Sequence, residues 1–269
     1  LVFLGLVNFE DPPRPEVADA IRTVRAAGIR VIITTGDHPQ TTVAIAREIG
    51  LLGAEDIPRV LTGDQLHHLT DIQLGIALET PHIIFARLAA DQKLRIVRAL
   101  RAKGHVVAVT GDGVNDAPAL READVGIAFG KNGNDVAREA ADMVLVDDNF
   151  ASIVAAIEEG RAVYDNVRKF LTYILTSNIS ELIPYLAFVL FRIPLPLTII
   201  QILAVDLGTN MVPALGLGAE RPHPDVMRRP PRTREQRLLD VPLLLRSYGF
   251  LGLFEAIAGM SAYFFVLTN

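Results

Sequence analysis

Hydrophobic and polar positions along this chain follow two rhythms, and the change falls near residue 171. Up to about residue 150, short apolar runs alternate with amphipathic stretches, the pattern of a parallel sheet flanked by helices. The runs Leu1 to Val7, Ile29 to Thr34, Ile83 to Phe85 and His105 to Val109 read as strands, and Lys93-Leu94-Arg95-Ile96-Val97-Arg98 as a basic helix. Gly50 to Glu79 is poor in motifs and reads as a variable excursion within this α/β domain.

Beyond Leu171 the apolar runs lengthen. Leu171 to Phe191 and Leu197 to Leu217 each approach the ~20 apolar residues that cross a bilayer, and Tyr248 to Leu267 is a third candidate. Arg192-Ile193-Pro194-Leu195-Pro196 is too short and too apolar to connect two solvated helices, which favours spans over a buried hairpin. The segment between the second and third candidates carries Arg221, Arg228, Arg229, Arg232, Arg234 and Arg237, which places it on the cytoplasmic side. Two spans return the chain to its starting side, so the α/β domain is expected to be cytoplasmic as well. The expected plan is an α/β domain over 1–150, a stalk helix over 151–170, a helical hairpin over 171–217, a basic loop over 218–247 and a third span over 248–269.

Composition narrows the classes further. Half of the 269 residues are hydrophobic, with a mean hydropathy of +0.32. Cysteine is absent, which removes disulfides and thiolate metal sites. The net charge of −5 is modest and the α/β part holds no basic cluster, so no nucleic-acid partner is expected.

Candidate chemistry concentrates after His105 to Val109, in the string Thr110-Gly111-Asp112-Gly113-Val114-Asn115-Asp116-Ala117-Pro118-Ala119-Leu120. A strand that ends in glycine-flanked acids exposes them at the carboxyl edge of a parallel sheet, where open α/β folds place ligands. Asp112 and Asp116 offer the hard oxygens that Mg²⁺ prefers, and Asn115 offers an amide donor to a phosphate oxygen. Phosphoryl transfer also needs a cation and hydroxyl or backbone donors at one point. Thr35 and Gly36, after Ile29 to Thr34, and Lys93 supply these types, although taken alone Lys93 reads as a solvated surface lysine and Thr35 as a helix cap. Thr62-Gly63-Asp64 repeats the tripeptide without an expected strand before it and reads as the cap of a helix at Gln65. His38, His67 and His68 lack further ligands at metal spacing and read as surface or packing residues.

Acids also fall inside the apolar runs. Asn178 and Glu181 are spaced to share one helical face, as are Asp206, Thr209 and Asn210. Ionisable groups at that depth are costly and mark function, and oxygen-rich faces suit hard cations. Pro184 and Pro213 are expected to free backbone carbonyls nearby. Glu255, in the third run, reads as a further buried acid, for packing or a water contact at least as readily as for binding an ion.

The eleven-residue string resembles the hinge motif of P-type ATPases, cation pumps whose phosphorylation domain has the haloacid dehalogenase-like fold. Asp11-Pro12-Pro13-Arg14, Thr35-Gly36-Asp37-His38-Pro39, Phe85-Ala86-Arg87 with Lys93, and Asp147-Asp148-Asn149-Phe150 stand in the family's order. The resemblance implies a haloacid dehalogenase-like, Rossmann-like parallel α/β domain followed by an all-α transmembrane region. It implies that Thr35, Gly36, Lys93 and Asn115 contact an acyl phosphate, that Asp112 binds Mg²⁺, and that Asp37 and Asp116 support the site. Asp11 and Arg14 lie by the family's hinge to the nucleotide-binding domain, which implies a contact with ATP. Thr176-Ser177-Asn178, Ile193-Pro194-Leu195-Pro196-Leu197 and Asp206-Leu207-Gly208-Thr209 resemble the fifth and sixth membrane helices of calcium and sodium/potassium pumps, closer to the latter.

The implied cargo is Ca²⁺ or Na⁺/K⁺, held by Asn178, Glu181, Asp206, Thr209 and Asn210. Ser177 stands where proton/potassium pumps carry lysine, and Asn210 where both other branches usually carry aspartate. No Asp-Lys-Thr-Gly occurs, so the family's phosphorylated aspartate is missing and the chain reads as the carboxyl-side part of a plasma-membrane pump, inactive in isolation. Its expected partners are the cation, the bilayer, and the actuator, nucleotide-binding and remaining membrane segments. The competing readings are a membrane-anchored phosphatase of the haloacid dehalogenase class and a non-catalytic regulatory remnant.

Overall fold

The computed structural model describes residues 12–233 and 235–268. The strand expected over Leu1 to Val7, Asp11 and Arg234 lie outside the described residues. The chain divides into two compact units, Leu1–Ala156 with Met227–Pro231, and Ile157–Val226 with Arg232–Asn269.

The first unit alternates helices and parallel strands. In order they are α1 (Glu16–Ala26), β1 (Ile33–Thr34), α2 (Pro39–Glu48), β2 (Arg59–Thr62), α3 (Gly63–His68), α4 (Asp71–Ala77) and β3 (Ile83–Ala86). Then follow α5 (Ala90–Ala102), β4 (Ala108–Gly111), α6 (Ala117–Glu122), β5 (Val125–Phe129), α7 (Asp135–Ala140) and β6 (Met143–Leu145). The strands form two three-stranded sheets, β1-β3-β2 and β4-β5-β6, with every pairing parallel. β3 is central in its sheet and buried at all four positions, as expected of an uninterrupted apolar run with helices on both faces.

Leu61, Leu66, Leu74, Phe85 and Ile96 form one core on this sheet, and Ile21, Ala46, Leu52 and Ile84 another. α5 buries Ile96 and Val97 while its arginines pair outward, Arg95 with Asp71 at 2.8 Å and Arg98 with Glu122 at 3.1 Å. A smaller core of Leu120, Ala128 and Ala137 lies on the second sheet.

Two expectations need correction here. Residues 50–79 are no mere excursion, because β2 within them pairs with β3 from Arg59↔Ile83 to Thr62↔Ala86. Thr62 therefore does end a strand. It still caps α3 as expected, its Oγ1 accepting from the Gln65 N–H at 3.4 Å while Gln65 Oε1 accepts from the Thr62 N–H at 3.0 Å.

α8 runs unbroken over Ala151–Phe191, with Pro184 inside it, and the division between the two units falls within it. In the second unit, α9 (Ile199–Val205), a π-helical turn (Asp206–Asn210) and α10 (Met211–Gly218) form one helical run. α11 (Val241–Leu244), a π-helical stretch (Leu245–Gly252) and α12 (Leu253–Thr268) form another. All three runs are long and apolar enough to cross a membrane by length and composition. The third begins earlier than the span drawn at 248. Asp240 caps it, accepting from the Leu243 N–H at 2.9 Å, and Pro242 pre-sets its first turn.

Candidate functional site

Asp112 and Asp116 stand on the turn after β4, where the chain makes a 3-10 turn over Val114–Asp116 before α6. Asp116 is only 8% exposed, and both of its oxygens are engaged. Oδ1 accepts from Lys93 Nζ at 2.6 Å and Oδ2 from the Gly113 N–H at 3.2 Å. A buried carboxylate is tolerable only with partners of this kind. Gly111 makes room for it, since a Cβ there would lie 2.8 Å from Asp116 Cγ.

Asp112 is built differently. Its side chain is exposed, and among the described residues no hydrogen bond or ion pair engages its carboxylate. It borders a polar cleft of about 580 Å³ together with Gly113, Lys131, Asn132, Asn134 and Arg138. An exposed carboxylate at a polar cleft suits Mg²⁺, which takes one or two protein carboxylates and completes its shell with water and phosphate oxygens. Among the described residues no three His, Asp or Glu gather into a closed metal cage, which does not conflict with that chemistry.

Thr35, Gly36 and Asp37 follow β1 and form a second group. Thr35 Oγ1 donates to Asp37 Oδ2 at 2.9 Å and accepts from the Asp37 N–H at 3.1 Å. The loop after β3 is stitched to them: Arg87 N–H donates to the Asp37 carbonyl at 3.0 Å and Leu88 N–H to the Thr35 carbonyl at 3.0 Å. Arg87 adopts φ 52° to do so, a left-handed conformation that a non-glycine residue seldom takes. No hydrogen bond or ion pair among the described residues joins this group to Lys93 and Asp116; the chain connects them through α5, which starts two residues after Leu88. Asn115 is exposed beside Asp116. His38 caps α2, its Nδ1 accepting from the Gln40 N–H at 3.3 Å.

Arg14 is used inside the domain. Its guanidinium donates to the Asp148 carbonyl and lies 5.9 Å from the centre of the Phe129 ring. The loop after β5, Gly130-Lys131-Asn132-Gly133-Asn134, lines the cleft beside Asp112 and was not anticipated. The signal for it was available: two glycines and two asparagines between an apolar strand and a helix mark another loop at the carboxyl edge of the same sheet.

In the second unit the acids of two span-length helices meet at one amide. Asn210 Nδ2 donates to Asp206 Oδ1 at 2.8 Å and to Glu181 Oε1 at 3.5 Å. Its Oδ1 accepts from Ser177 Oγ at 3.1 Å and Tyr173 OH at 3.4 Å. Asp206 and Asn210 are the first and last residues of the π-helical turn, a feature common at functional sites. Pro213 has no N–H to give the Thr209 carbonyl four residues back, and Tyr173 OH donates to that carbonyl at 2.8 Å instead. The Thr209 side chain turns to its own helix, donating to the Val205 carbonyl at 2.6 Å. Asn178 is exposed, and the hydrogen bonds that join Glu181, Asp206 and Asn210 do not include it. Glu255 is exposed and borders a cavity of about 650 Å³ with Arg168, Tyr173, Arg246 and Leu251.

Comparison with known proteins follows the same division. A family model for haloacid dehalogenase-like hydrolases matches residues 3–124, and one for the carboxyl-terminal part of cation-transporting ATPases matches residues 194–269. The whole chain is 46% identical, over 293 aligned residues, to the sodium/potassium-transporting ATPase subunit alpha-4 of Rattus norvegicus, of which it covers 28%. It is 46% identical to subunit alpha-2 of Homo sapiens, of which it covers 29%. A solved catalytic domain of a CPx-ATPase, CopB-B, aligns over 54% of this chain and 45% of that chain, with 26% identity and a TM-score of 0.40. The chain thus spans less than a third of the length of the curated relatives it matches. With the α/β part and the apolar helices both accounted for by one group of relatives, the chain belongs to the P-type cation-transporting ATPase family.

Proposed function

We propose that this chain is the carboxyl-side part of a pump that moves a small hard cation, Ca²⁺ or Na⁺/K⁺, across a membrane at the expense of ATP through an aspartyl phosphate. The observation that carries this reading is the meeting of Glu181 and Asp206, from two span-length helices, at the Asn210 amide. A phosphatase with a membrane anchor has no use for acids at that place.

In this reading residues 1–150 are the carboxyl-side part of the phosphorylation domain and 151–170 a stalk. Residues 171–217 form the hairpin that holds the cation, 218–247 a cytoplasmic basic loop, and 248–269 the rest of the third span. Asp112 would hold Mg²⁺, which when bound neutralises charge on the transferring phosphoryl group. Lys93 brings a positive charge to the same place and is oriented by Asp116, while Thr35, Gly36 and Asn115 offer hydroxyl, backbone and amide donors to phosphate oxygens. Asp37 orients the Thr35 hydroxyl. Asp11 and Arg14 belong beside ATP by family likeness alone, and Arg14 would have to reach it while tied to Asp148. Asn178 and Thr209 complete the cation ligands with Glu181, Asp206 and Asn210. The arginine-rich loop between the second and third spans supports a cytoplasmic α/β domain, and a plasma-membrane location follows from family likeness alone. The missing partners are the actuator and nucleotide-binding domains and the other membrane helices.

The test is a double dissociation in the complete pump. Glu181→Gln should abolish cation uptake into vesicles and keep phosphorylation from inorganic phosphate, whereas Asp112→Asn should abolish phosphorylation itself. Cation uptake at wild-type rates by Glu181→Gln would overturn the proposal.

A further inference from the structure

Asp148 is 2% exposed, adopts φ 54°, and has no place in the phosphate chemistry described above. Its carboxylate is nonetheless fully used. Oδ1 accepts from the Lys131 N–H at 3.0 Å and Oδ2 from the Asn132 N–H at 2.8 Å, two successive donors of the loop that lines the cleft beside Asp112. Its backbone is fixed as well. The carbonyl accepts from Arg14, and the N–H donates to the Leu145 carbonyl at 3.2 Å.

The loop is held at both ends. Gly130 N–H donates to the Leu145 carbonyl at 2.9 Å and the Gly130 carbonyl accepts from Arg138 Nη1 at 2.6 Å. A Cβ at Gly130 would lie 2.9 Å from the Leu145 oxygen, so only glycine lets the backbones come this close. At the far end, the Asn134 N–H donates to the Asp112 carbonyl at 2.8 Å. Residues 130–134 therefore form a strap from Asp148, three residues ahead of α8, to the backbone of Asp112. An exposed carboxylate on a short turn keeps its direction only if its backbone is fixed, and ligand direction governs metal affinity.

We propose that Asp148 is a positioning residue for Asp112, acting through the strap of residues 130–134 to set the direction of the carboxylate offered to Mg²⁺. The proposal rests on the reading of Asp112 as the Mg²⁺ ligand and adds to it a residue that touches neither metal nor phosphate. Asparagine at 148 keeps the shape and tolerates the left-handed backbone, but it turns an N–H₂ toward one of the two loop N–H groups. Proline at 134 cuts the strap at its other end. The Asn134 φ of −69° already suits proline, which removes the N–H that reaches Asp112.

The experiment measures phosphorylation from inorganic phosphate against Mg²⁺ concentration in the complete pump. Asp148→Asn and Asn134→Pro should each raise the half-saturating Mg²⁺ by roughly five- to tenfold, the scale of one lost hydrogen bond, charge-assisted at Asp148 and neutral at Asn134. Maximal phosphoenzyme should stay near the wild-type level. Asn134→Ala, which loses the helix cap but keeps the N–H, should raise the half-saturating Mg²⁺ less than Asn134→Pro does, and Asp147→Ala, whose carboxylate bonds to Asn149 and Ser152, should raise it less than Asp148→Asn does. The melting temperature of the complete pump, together with its maximal phosphoenzyme, reports that each variant is folded. Wild-type Mg²⁺ dependence in folded Asn134→Pro overturns the positioning role even if Asp148→Asn fails to fold. Wild-type behaviour of Asp112→Asn in the same assay would instead overturn the metal assignment on which the role rests.

Discussion

Asn210 turns its amide nitrogen to Asp206 at 2.8 Å and its amide oxygen to Ser177 at 3.1 Å, so it matches an acid on one side and a hydroxyl on the other. A neutral donor at the centre lets two carboxylates approach without a counter-charge. Asn210→Asp removes that donor and adds a third acid. The variant should depend on bound cation for its stability: its melting temperature should fall below wild type in cation-free buffer and rise by more on adding saturating Ca²⁺ or Na⁺. Equal cation-induced shifts in variant and wild type would contradict this account of the amide.

Lys93 and Asp116 are both largely buried and 2.6 Å apart, so losing one leaves the other uncompensated. Lys93→Ala should cost on the order of 3–5 kcal/mol in the stability of the α/β domain and slow phosphoenzyme formation. Replacing the pair together, Lys93→Met with Asp116→Leu, should recover most of the stability and none of the phosphorylation. Denaturant melts beside phosphorylation assays in the complete pump separate the two effects.

Asp112 is expected to behave in the opposite way. Among the described residues its carboxylate makes no bond, so Asp112→Asn should shift stability by less than about 0.5 kcal/mol while crippling Mg²⁺-dependent phosphorylation. A large loss of stability would mean that Asp112 is a structural residue.

Burial alone would raise the Asp148 carboxyl. The N–H groups of Lys131, Asn132 and Gly130, with Arg14 nearby, outweigh it and hold the group below its ordinary range. A carboxylate depressed in the folded state contributes stability that is complete above the ordinary aspartate range and is lost as pH falls through the folded value. Melting temperature should therefore drop on acidification below about pH 4, and Asp148→Asn should flatten that drop. An acid limb identical in the variant would show that Asp148 contributes nothing to it.

Tyr173 satisfies the carbonyl that Pro213 leaves without a helical donor. Tyr173→Phe should cost about 1 kcal/mol, and adding Pro213→Ala should return part of it by restoring an N–H to the Thr209 carbonyl. Additive losses in the double variant would contradict this link between the two helices.

The strand and loop that carry Asp112 and Asp116 were legible because an apolar run ends in an unusual string of acids and glycines. β3 was legible because a fully buried parallel strand is an uninterrupted apolar run. β2 was not, because Arg59-Val60-Leu61-Thr62 is a four-residue strand that starts on an exposed arginine and buries only Leu61, too short to stand out as an apolar run. β1 is shorter than the run Ile29 to Thr34, since only Ile33 and Thr34 pair with β3.

Face counting groups Asp206, Thr209 and Asn210, and of these Asp206 and Asn210 are joined by a hydrogen bond. The π-helical turn changes the angular spacing on which such counting depends, and the Thr209 hydroxyl returns to its own backbone. Asn178 shows the other limit: periodicity says which residues share a face and not which neighbour that face meets. The strap of residues 130–134 carries no charged motif, and its tie to Asp148 joins residues that only the fold brings together.

The central claim, that two membrane acids bind the transported cation, is tested most directly by titrating ATP hydrolysis of the complete pump with Ca²⁺, Na⁺ and K⁺ in separate assays. The account predicts that Glu181→Gln and Asp206→Asn lose cation activation for the ion that activates the wild type, while phosphorylation from inorganic phosphate is retained. Titration curves that coincide with wild type for both variants would contradict it.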